Sequence, residues 1–239
     1  MISTGILGLD EMVGGGFLEN RIILVRGGPG VGKTVFSFQF LVEGAKKREQ
    51  GIYVTLEEPL NLIKLNMKLF AFDLEGFERR GLLKLINESG QVYKPFAPNR
   101  YDRDGAKLLV TRMLERIKQE VENLGAKRLV IDPITSLVIH QRFPTDKRLE
   151  IMELIKALRN LRCTVVITSE ATSHTERDFF VEEYLADGAV ILSKKLRDFN
   201  VIKTVRIEKM RGLKHDDQPH RYEISDDGIV IYHTEPVII

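Results

Sequence analysis

Residues 27–34 read GGPGVGKT, which fits the phosphate-loop pattern G-x-x-x-x-G-K-[ST] at every fixed position. The run 21–26 before this loop has the apolar centre of a strand, and the run 35–41 after it predicts a buried helix. The glycines let successive backbone N–H groups turn towards an anion, and the helix adds the positive end of its dipole. Strand, loop and helix together predict a site for the phosphate groups of a nucleotide.

Two side chains of the loop have predicted roles of their own. Lys33 should reach the β- and γ-phosphates, and the Thr34 hydroxyl should bind the Mg²⁺ that accompanies them. An ordinary glycine turn is the alternative, and the flanking strand and helix argue against it. The predicted nucleotide-binding residues are Gly27, Gly28, Pro29, Gly30, Val31, Gly32, Lys33 and Thr34.

Strand-like and helix-like segments alternate along the chain, which predicts an α/β fold with a mostly parallel sheet flanked by helices. Strands are predicted at 21–26, 51–56, 83–86, 127–132, 163–169, 189–193 and 201–209, with a C-terminal β-hairpin over 222–232. Helices are predicted at 35–47, 60–72, 107–124 and 146–161, and a surface loop at 90–105. The inward face of the helix 146–161 is predicted to consist of Leu149, Met152, Ile155 and Leu158.

Composition limits the classes of protein that fit. The chain has 239 residues, 43% of them hydrophobic, and shows no linker, so we expect a single domain over 1–239. A net charge of +2 argues against an overwhelmingly basic nucleic-acid binder. The sequence begins without a signal-peptide pattern and lacks a run of about 20 apolar residues, so we expect a cytoplasmic protein without membrane contact. Cys163 should be an inert buried thiol.

Carboxylates follow two of the predicted strands. Asp132 ends the strand 127–132, and ligands of α/β sheets bind at the carboxyl ends of strands. A carboxylate there can hold Mg²⁺ together with Thr34. A turn or helix-capping aspartate is the alternative, since Pro133 follows.

Glu57 and Glu58 come directly after the strand 51–56. A carboxylate at this position can polarise the water that attacks the γ-phosphate. The alternative is a solvated pair at the start of the next helix. Because adjacent side chains point in different directions, we expect one main base and slightly favour Glu58. Thr168 and Ser169 end another strand. A hydroxyl there could face the γ-phosphate, or these residues could simply terminate the strand, and the sequence favours neither interpretation.

Lys209 and Arg211 lie on one face of the predicted strand end, because side chains alternate along a strand. Two cations in fixed geometry suit the charge of a phosphoryl transition state. Solvated basic residues are the alternative. The candidate catalytic residues are Glu57, Glu58, Lys33, Lys209 and Arg211, and the candidate metal ligands are Thr34 and Asp132.

These motifs resemble those of the RecA-like ATPases, most closely the KaiC group. The resemblance spans nearly the whole chain and runs through the segments 3–16, 27–34, 53–59, 131–132, 181–188, 209–215 and 224–229. It implies that the nucleotide is ATP, that Glu57 and Glu58 are catalytic, and that the active form is a ring, usually a hexamer. It also implies that Lys209 and Arg211 reach the γ-phosphate bound by a neighbouring subunit.

Three functions fit this resemblance. The first is a ring ATPase whose hydrolysis switches the conformation of its subunits and, through them, of a protein partner. The second is a DNA-binding recombinase-like accessory ATPase, with DNA contacts in the loops 141–147 and 171–179. Its candidate contacts are Arg142, Lys147, Arg177, Phe143 and Phe179. The third is a nucleotide-gated scaffold with little turnover, against which the intact motifs argue.

Overall fold

The computed structural model describes residues 1–92, 96–97, 100–101, 103–138, 144–170, 181–197 and 199–237. Part of the predicted surface loop 90–105 lies outside these residues. Most of the two loops that carry the candidate DNA contacts, 141–147 and 171–179, also lies outside these residues. The candidate DNA contacts that lie outside the described residues are Arg142, Phe143, Arg177 and Phe179.

The strands of the described residues belong to two sheets. They are β1 (Ile22–Gly27), β2 (Gly51–Thr55), β3 (Leu83–Asn87), β4 (Phe96–Ala97), β5 (Arg100–Tyr101), β6 (Arg128–Asp132), β7 (Thr164–Glu170), β8 (Gly188–Arg197), β9 (Asn200–Met210), β10 (His220–Ser225) and β11 (Gly228–Pro236). Among them, nine form one sheet in the order β11-β10-β9-β8-β1-β7-β6-β2-β3, and β4 pairs with β5 separately. The strands from β8 to β3 are parallel, whereas β9, β10 and β11 are antiparallel to their neighbours. The predicted α/β fold, with its mostly parallel sheet and C-terminal hairpin, is confirmed.

Helices cover the sheet. Those of the described residues are α1 (Leu9–Met12), α2 (Lys33–Lys46), α3 (Leu60–Met67), α4 (Leu74–Arg79), α5 (Ser89–Val92), α6 (Arg103–Leu124), α7 (Thr135–Val138), α8 (Pro144–Arg159) and α9 (Val181–Leu185). None of these helices combines the length and the apolar character that a bilayer crossing requires.

Two predicted boundaries were wrong. The helix predicted over 60–72 ends at Met67, and a separate α4 follows because the Asp73 side chain caps it by accepting a hydrogen bond from the Gly76 N–H at 2.9 Å. The stretch predicted as a surface loop at 90–105 contains the short strands β4 and β5 and the first residues of α6.

α2 is apolar on nearly every side because it packs against β1, β2 and β6 of the sheet and also against its edge strand β11. Its residues Phe36, Phe38 and Phe40 are fully buried in one core cluster. On its far side, the Gln39 amide accepts from the Ile229 N–H at 2.7 Å and donates to the Ile229 carbonyl at 3.1 Å. This clamp fixes the helix that follows the phosphate loop against β11.

The inward face of α8 differs from the prediction. Leu149 and Met152 are 56% and 44% exposed, so the prediction was wrong for them. The buried face consists of Ile151, Leu154, Ile155 and Leu158. This set has the i, i+3, i+4, i+7 spacing of a broad helical stripe, which covers more core surface than the predicted one. The helix therefore carries a second, exposed apolar stripe.

The guanidinium of Arg128 is fully buried where the N-terminal segment meets α2 and β6. It donates to Glu49 Oε2 at 2.8 Å and to the carbonyl oxygens of Ser3 and Phe40 at 2.8 and 2.7 Å. We expect Arg128→Ala to lower the free energy of unfolding by about 3 kcal/mol, because it leaves these acceptors without a donor. Urea unfolding followed by circular dichroism measures this change.

Arg206→Ala is the control for the Arg128 variant. Arg206 is half exposed and pairs with Glu208 at the surface, so its loss should cost less than about 1 kcal/mol. Equal losses of stability in the two variants would contradict a structural role for the buried guanidinium.

Candidate functional site

The predicted phosphate loop connects β1 to α2 and is shaped by the C-terminal hairpin. Gly32 has φ 97°, and a Cβ atom there would lie 2.7 Å from Ile224 Cδ1, so only glycine fits. The Tyr222 hydroxyl of β10 donates to the Val31 carbonyl at 2.6 Å. Burial raises the pKa of Tyr222, so this donor stays protonated at neutral pH. The sequence pattern indicated a hairpin here but not its contact with the loop.

Lys33 folds back over the loop. Its Nζ atom donates to the carbonyl oxygens of Gly27 and Gly28 at 2.9 and 3.1 Å. Burial lowers the pKa of Lys33, and nearby negative charges oppose this effect. Those charges belong to Glu170, Asp132 and Glu57. The lysine of the loop is thus surrounded by carboxylates from the ends of β7, β6 and β2.

Asp132 is the centre of a hydrogen-bond network at the carboxyl ends of the parallel strands. Its Oδ2 atom accepts from Thr34 Oγ1 at 2.9 Å and from the Tyr53 hydroxyl at 2.7 Å. Its Oδ1 atom accepts from the Thr168 hydroxyl. The sequence predicted that Asp132 and Thr34 would meet, and they do. Thr168 contacts this carboxylate directly, and Tyr53 is a member of the network that the sequence pattern did not indicate.

Burial raises the pKa of Tyr53, and the negative charges of Asp132 and Glu58 raise it further. The phenol is therefore a protonated donor that holds one carboxylate oxygen in place. Its ring stacks on Phe38 of α2 with 4.3 Å between the ring centroids, which fixes the direction of the hydroxyl. Tyr53 acts as a positioning residue for Asp132.

Glu57 and Glu58 differ in their surroundings. The Glu57 side chain is exposed, and its negative charge acts on Lys33. The Glu58 carboxylate is half-buried and accepts from Asn66 Nδ2 of α3 at 3.0 Å. The Glu58 carbonyl also accepts from Thr55 Oγ1 at 2.7 Å. The charge of Glu57 thus acts on Lys33, whereas Glu58 is held by Asn66 and its charge acts on Tyr53.

Lys194 of β8 is a cation near the loop that the sequence pattern did not single out. Its Nζ atom donates to the Pro29 carbonyl at 2.9 Å. Leu192 of β8 pairs with Gly27, the last residue of β1. Lys194 lies two residues further along β8, and its side chain is on the same face of that strand as the Leu192 side chain. The register of β8 against β1, which the sequence does not reveal, places it there.

Lys209 and Arg211 lie at the other end of the sheet from the phosphate loop. Both donate to the Tyr184 carbonyl, at 3.1 and 2.9 Å, and Arg211 Nη1 lies 3.8 Å from Asp187 Oδ1. Burial lowers the pKa of Lys209, and the positive charge of Arg211 lowers it further. The two cations do share one locality, as their spacing predicts.

The register shows how far these cations are from the loop of their own chain. Lys209 pairs with Ala189, and Ala189 pairs with Leu24. Gly27 therefore lies about 10 Å further along β1 and about 10 Å across two strand spacings. Since the side chains turn towards Tyr184, the structure does not bring them to Lys33.

Lys147, a candidate DNA contact, is engaged inside the protein. It lies in α8, and its Nζ atom is 3.3 Å from Oε1 of the buried Glu182. The positive charge of Lys147 is thus paired with Glu182, whereas contact with DNA would require it to pair with a phosphate.

Comparison with known proteins assigns this arrangement to a family. The family model described as "ATPase: KaiC" matches residues 2–236. The chain belongs to the KaiC ATPase family. A UPF0273 protein of Thermotoga maritima is 37% identical over 240 residues, which cover 98% of this chain and 96% of that protein.

Two further relatives support the KaiC assignment. The circadian clock protein KaiC3 of a Synechocystis strain is 32% identical over 234 residues, which cover 96% of this chain but 45% of that protein. The crystal structure of a KaiC-like protein from Pyrococcus horikoshii superimposes with a TM-score of 0.81 at 31% identity, covering 97% of this chain and 98% of the other. The fold is thus that of a RecA-like ATPase of the KaiC family, and the family implies nucleotide binding.

Proposed function

We propose that this KaiC-family chain binds ATP with Mg²⁺ and hydrolyses it to ADP and phosphate in a ring, a hexamer as the family resemblance implies. One observation carries the proposal: the phosphate loop and the cations Lys209 and Arg211 lie at opposite ends of the same sheet. A copy with both features can complete the site of a neighbour but not its own.

The loop supplies the phosphate contacts of the proposed site. In the proposed site, the N–H groups of this loop and the N-terminus of α2, which begins at Lys33, stabilise the phosphate anion. The Lys33 ammonium exchanges its carbonyl partners in the loop for phosphate oxygens when ATP binds. Its carbonyl contacts hold it at the loop beforehand, so little ordering remains at binding.

The donor set at Asp132 fits Mg²⁺. Thr34 Oγ1 and Asp132 Oδ2 are hard oxygen atoms 2.9 Å apart. Mg²⁺ retains water and takes phosphate oxygens as ligands, so it needs few protein groups. Thr34 and Asp132 would hold the ion, which would supply positive charge against the negative charge of the phosphate groups. Tyr53 and Thr168 hold the carboxylate in position for this role.

Glu57 and Glu58 are the proposed bases. A carboxylate near the γ-phosphate accepts the proton of the attacking water. Glu57 is the one whose charge acts on Lys33, and Glu58 is tied to α3. Hydrolysis would therefore change the surroundings of α3, which gives a route from the γ-phosphate to the conformation of the subunit.

Lys33→Ala tests the binding site. We expect ATP affinity to fall at least about tenfold, because the variant loses a charge-assisted contact with the phosphates. Isothermal titration with a non-hydrolysable ATP analogue and Mg²⁺ measures it. Lys46→Ala, at the exposed far end of the same helix, is the matched control and should bind as the unmodified chain does. Unchanged affinity in the Lys33 variant would refute the phosphate-loop assignment.

A further inference from the structure

The strands β8 and β9 extend beyond the rest of the sheet as a two-stranded arm. The pairing of β8 with β1 ends at Leu192, and the pairing of β9 with β10 reaches Thr204. Residues 194–203, which we call the hairpin arm, therefore project past both neighbouring strands. Phe199, at the tip of the arm, lies about 20 Å beyond Leu192 along the strand direction.

The tip of the hairpin arm is apolar and exposed. Phe199 is 100% exposed. Leu196 and Val201, which pair with each other across the two strands, are 74% and 62% exposed. A single exposed apolar side chain is common at protein surfaces, but three at the tip of one projecting element indicate an interaction surface.

The backbone of Phe199 is strained. Its φ is 64°, in the left-handed region that glycine and asparagine adopt far more readily than a bulky aromatic residue. The strain lowers the stability of the chain, and because the ring is fully exposed, packing within the chain does not offset it. What the ring contributes must therefore come from a contact outside the chain.

Positive charge lies behind the apolar tip. Residues 194–203 contain four basic residues and one acidic residue, whereas the whole chain has a net charge of only +2. Lys194 pairs with Lys203 across the two strands. This lysine pair lies on the same face as Leu196 and Val201, two residues or about 7 Å nearer to the sheet.

The lysine pair favours an anionic partner. Like charges directly opposite one another destabilise a hairpin, so an anion that lies against both ammonium groups would stabilise this one. Lys194 donates to the Pro29 carbonyl, and its ammonium group has two further N–H bonds for such an anion.

We propose that the hairpin arm binds the surface of a bilayer that contains anionic phospholipids. Apolar groups of a peripheral protein enter a bilayer by about 5–10 Å, to the boundary between headgroups and acyl chains. When the tip lies at that depth, a lysine pair about 7 Å behind it lies at the level of the lipid phosphates. The order along the arm, apolar tip and then basic base, thus matches the order of layers in the bilayer.

A nucleic acid fits the hairpin arm less well. Proteins that bind single strands combine cations with aromatic rings on which successive bases stack. Leu196 and Val201 have no π-face, so they would gain little from bases. The lysine pair also lies behind the tip and not beside it, whereas a strand stacked on Phe199 would need cations at the level of the ring.

The proposed membrane contact is peripheral. The expectation of a protein without membrane contact rested on the lack of a spanning segment, and none of the described helices is one. An element that enters only the headgroup region does not need such a segment. The contact also does not depend on ATP hydrolysis at the phosphate loop.

Phe199→Asn tests the tip. We expect the unmodified chain to co-sediment with vesicles of phosphatidylglycerol and phosphatidylcholine in equal amounts, and the partition coefficient of the variant to be at least about tenfold lower. Because asparagine tolerates a positive φ, the midpoint of thermal unfolding should rise by about 2–4 °C. Leu69→Asn is the matched control: Leu69 is 77% exposed at another surface, so this variant should bind vesicles as the unmodified chain does.

Lys195→Glu with Lys203→Glu tests the charge of the arm. Each basic residue close to an anionic surface strengthens binding, so reversal of two charges should lower the partition coefficient at least about tenfold. Lys118→Glu with Lys127→Glu is the matched control, because it changes the net charge by the same amount at exposed lysines of α6 and of the turn before β6. This control should bind the same vesicles nearly as well as the unmodified chain.

Three results would overturn the membrane contact. They are absence of binding to the anionic vesicles, equal binding to vesicles of phosphatidylcholine alone, and unchanged binding in Phe199→Asn. Fluorescence anisotropy with single-stranded DNA is measured on the same variants. DNA binding that Phe199→Asn abolishes, without any vesicle binding by the unmodified chain, would assign the hairpin arm to a nucleic acid instead.

Discussion

Replacing both glutamates with glutamine, Glu57→Gln with Glu58→Gln, should lower ATP turnover about 10³-fold, which is typical for loss of a general base. ATP affinity should be unchanged or tighter, because the substitution removes negative charge near the triphosphate while Lys33 and Asp132 remain. Phosphate release at saturating ATP and Mg²⁺ measures the first quantity, and titration with ATP in a short incubation measures the second.

The matched control removes two carboxylates elsewhere. Glu75→Gln with Glu78→Gln breaks the ion pairs of α4 with Lys68 and Lys64. Turnover should change little in this control. Equal turnover in the Glu57 and Glu58 variant and in the unmodified chain would refute the catalytic assignment and favour the scaffold hypothesis. The two single variants then divide the effect between the carboxylates.

The part of the site that the sequence could predict is the part that local chemistry determines. The phosphate loop needs glycines, a strand before it and a helix after it, and all of these are contiguous in residues 21–41. The meeting of Thr34 with Asp132 also followed from the sequence, because parallel strands present their carboxyl ends at one edge. Neither inference required the order of the strands.

What the sequence could not predict depends on strand order and register. Tyr53 and Thr168 both reach Asp132 because β6 lies between β2 and β7 in the sheet, an order that differs from the order along the chain. The contact of Tyr222 with the loop depends on where the C-terminal hairpin folds. For α8, two apolar stripes compete in the sequence, and only the position of the sheet decides which one is buried. The family resemblance implies the proposed role of Lys209 and Arg211, and the register adds that they are remote from their own loop.

Arg211→Ala should lower ATP turnover about 10³-fold, the lower end of the effect of removing an arginine that stabilises phosphoryl transfer. The physical reason is the loss of a fixed positive charge where negative charge develops on the γ-phosphate. Binding of ATP to the loop should persist, since Lys33 and Thr34 remain. The matched control is Arg206→Ala on β9, the strand that Arg211 directly follows, and the Arg206 side chain pairs with Glu208 at the surface. If the Arg211 variant turned over ATP as fast as the unmodified chain, Arg211 would not belong to the proposed site.

Mixing Arg211→Ala with the variant that carries both glutamine substitutions decides whether the arginine acts on its own copy or on a neighbour. Each variant alone should be inactive. In a mixed ring, a site is complete wherever the loop of the arginine variant faces the Arg211 of a glutamine variant, which for equal amounts is about one site in four. Turnover should therefore recover to about a quarter of that of the unmodified chain.

The control is a mixture of the glutamine variant with a chain that carries all three substitutions. This mixture should stay inactive, because no copy in it has Glu57 and Glu58. Absence of recovery in the first mixture, with rings present by mass, would mean that Arg211 serves its own copy, and β9 would then have to move about 10 Å relative to β1 to bring it there.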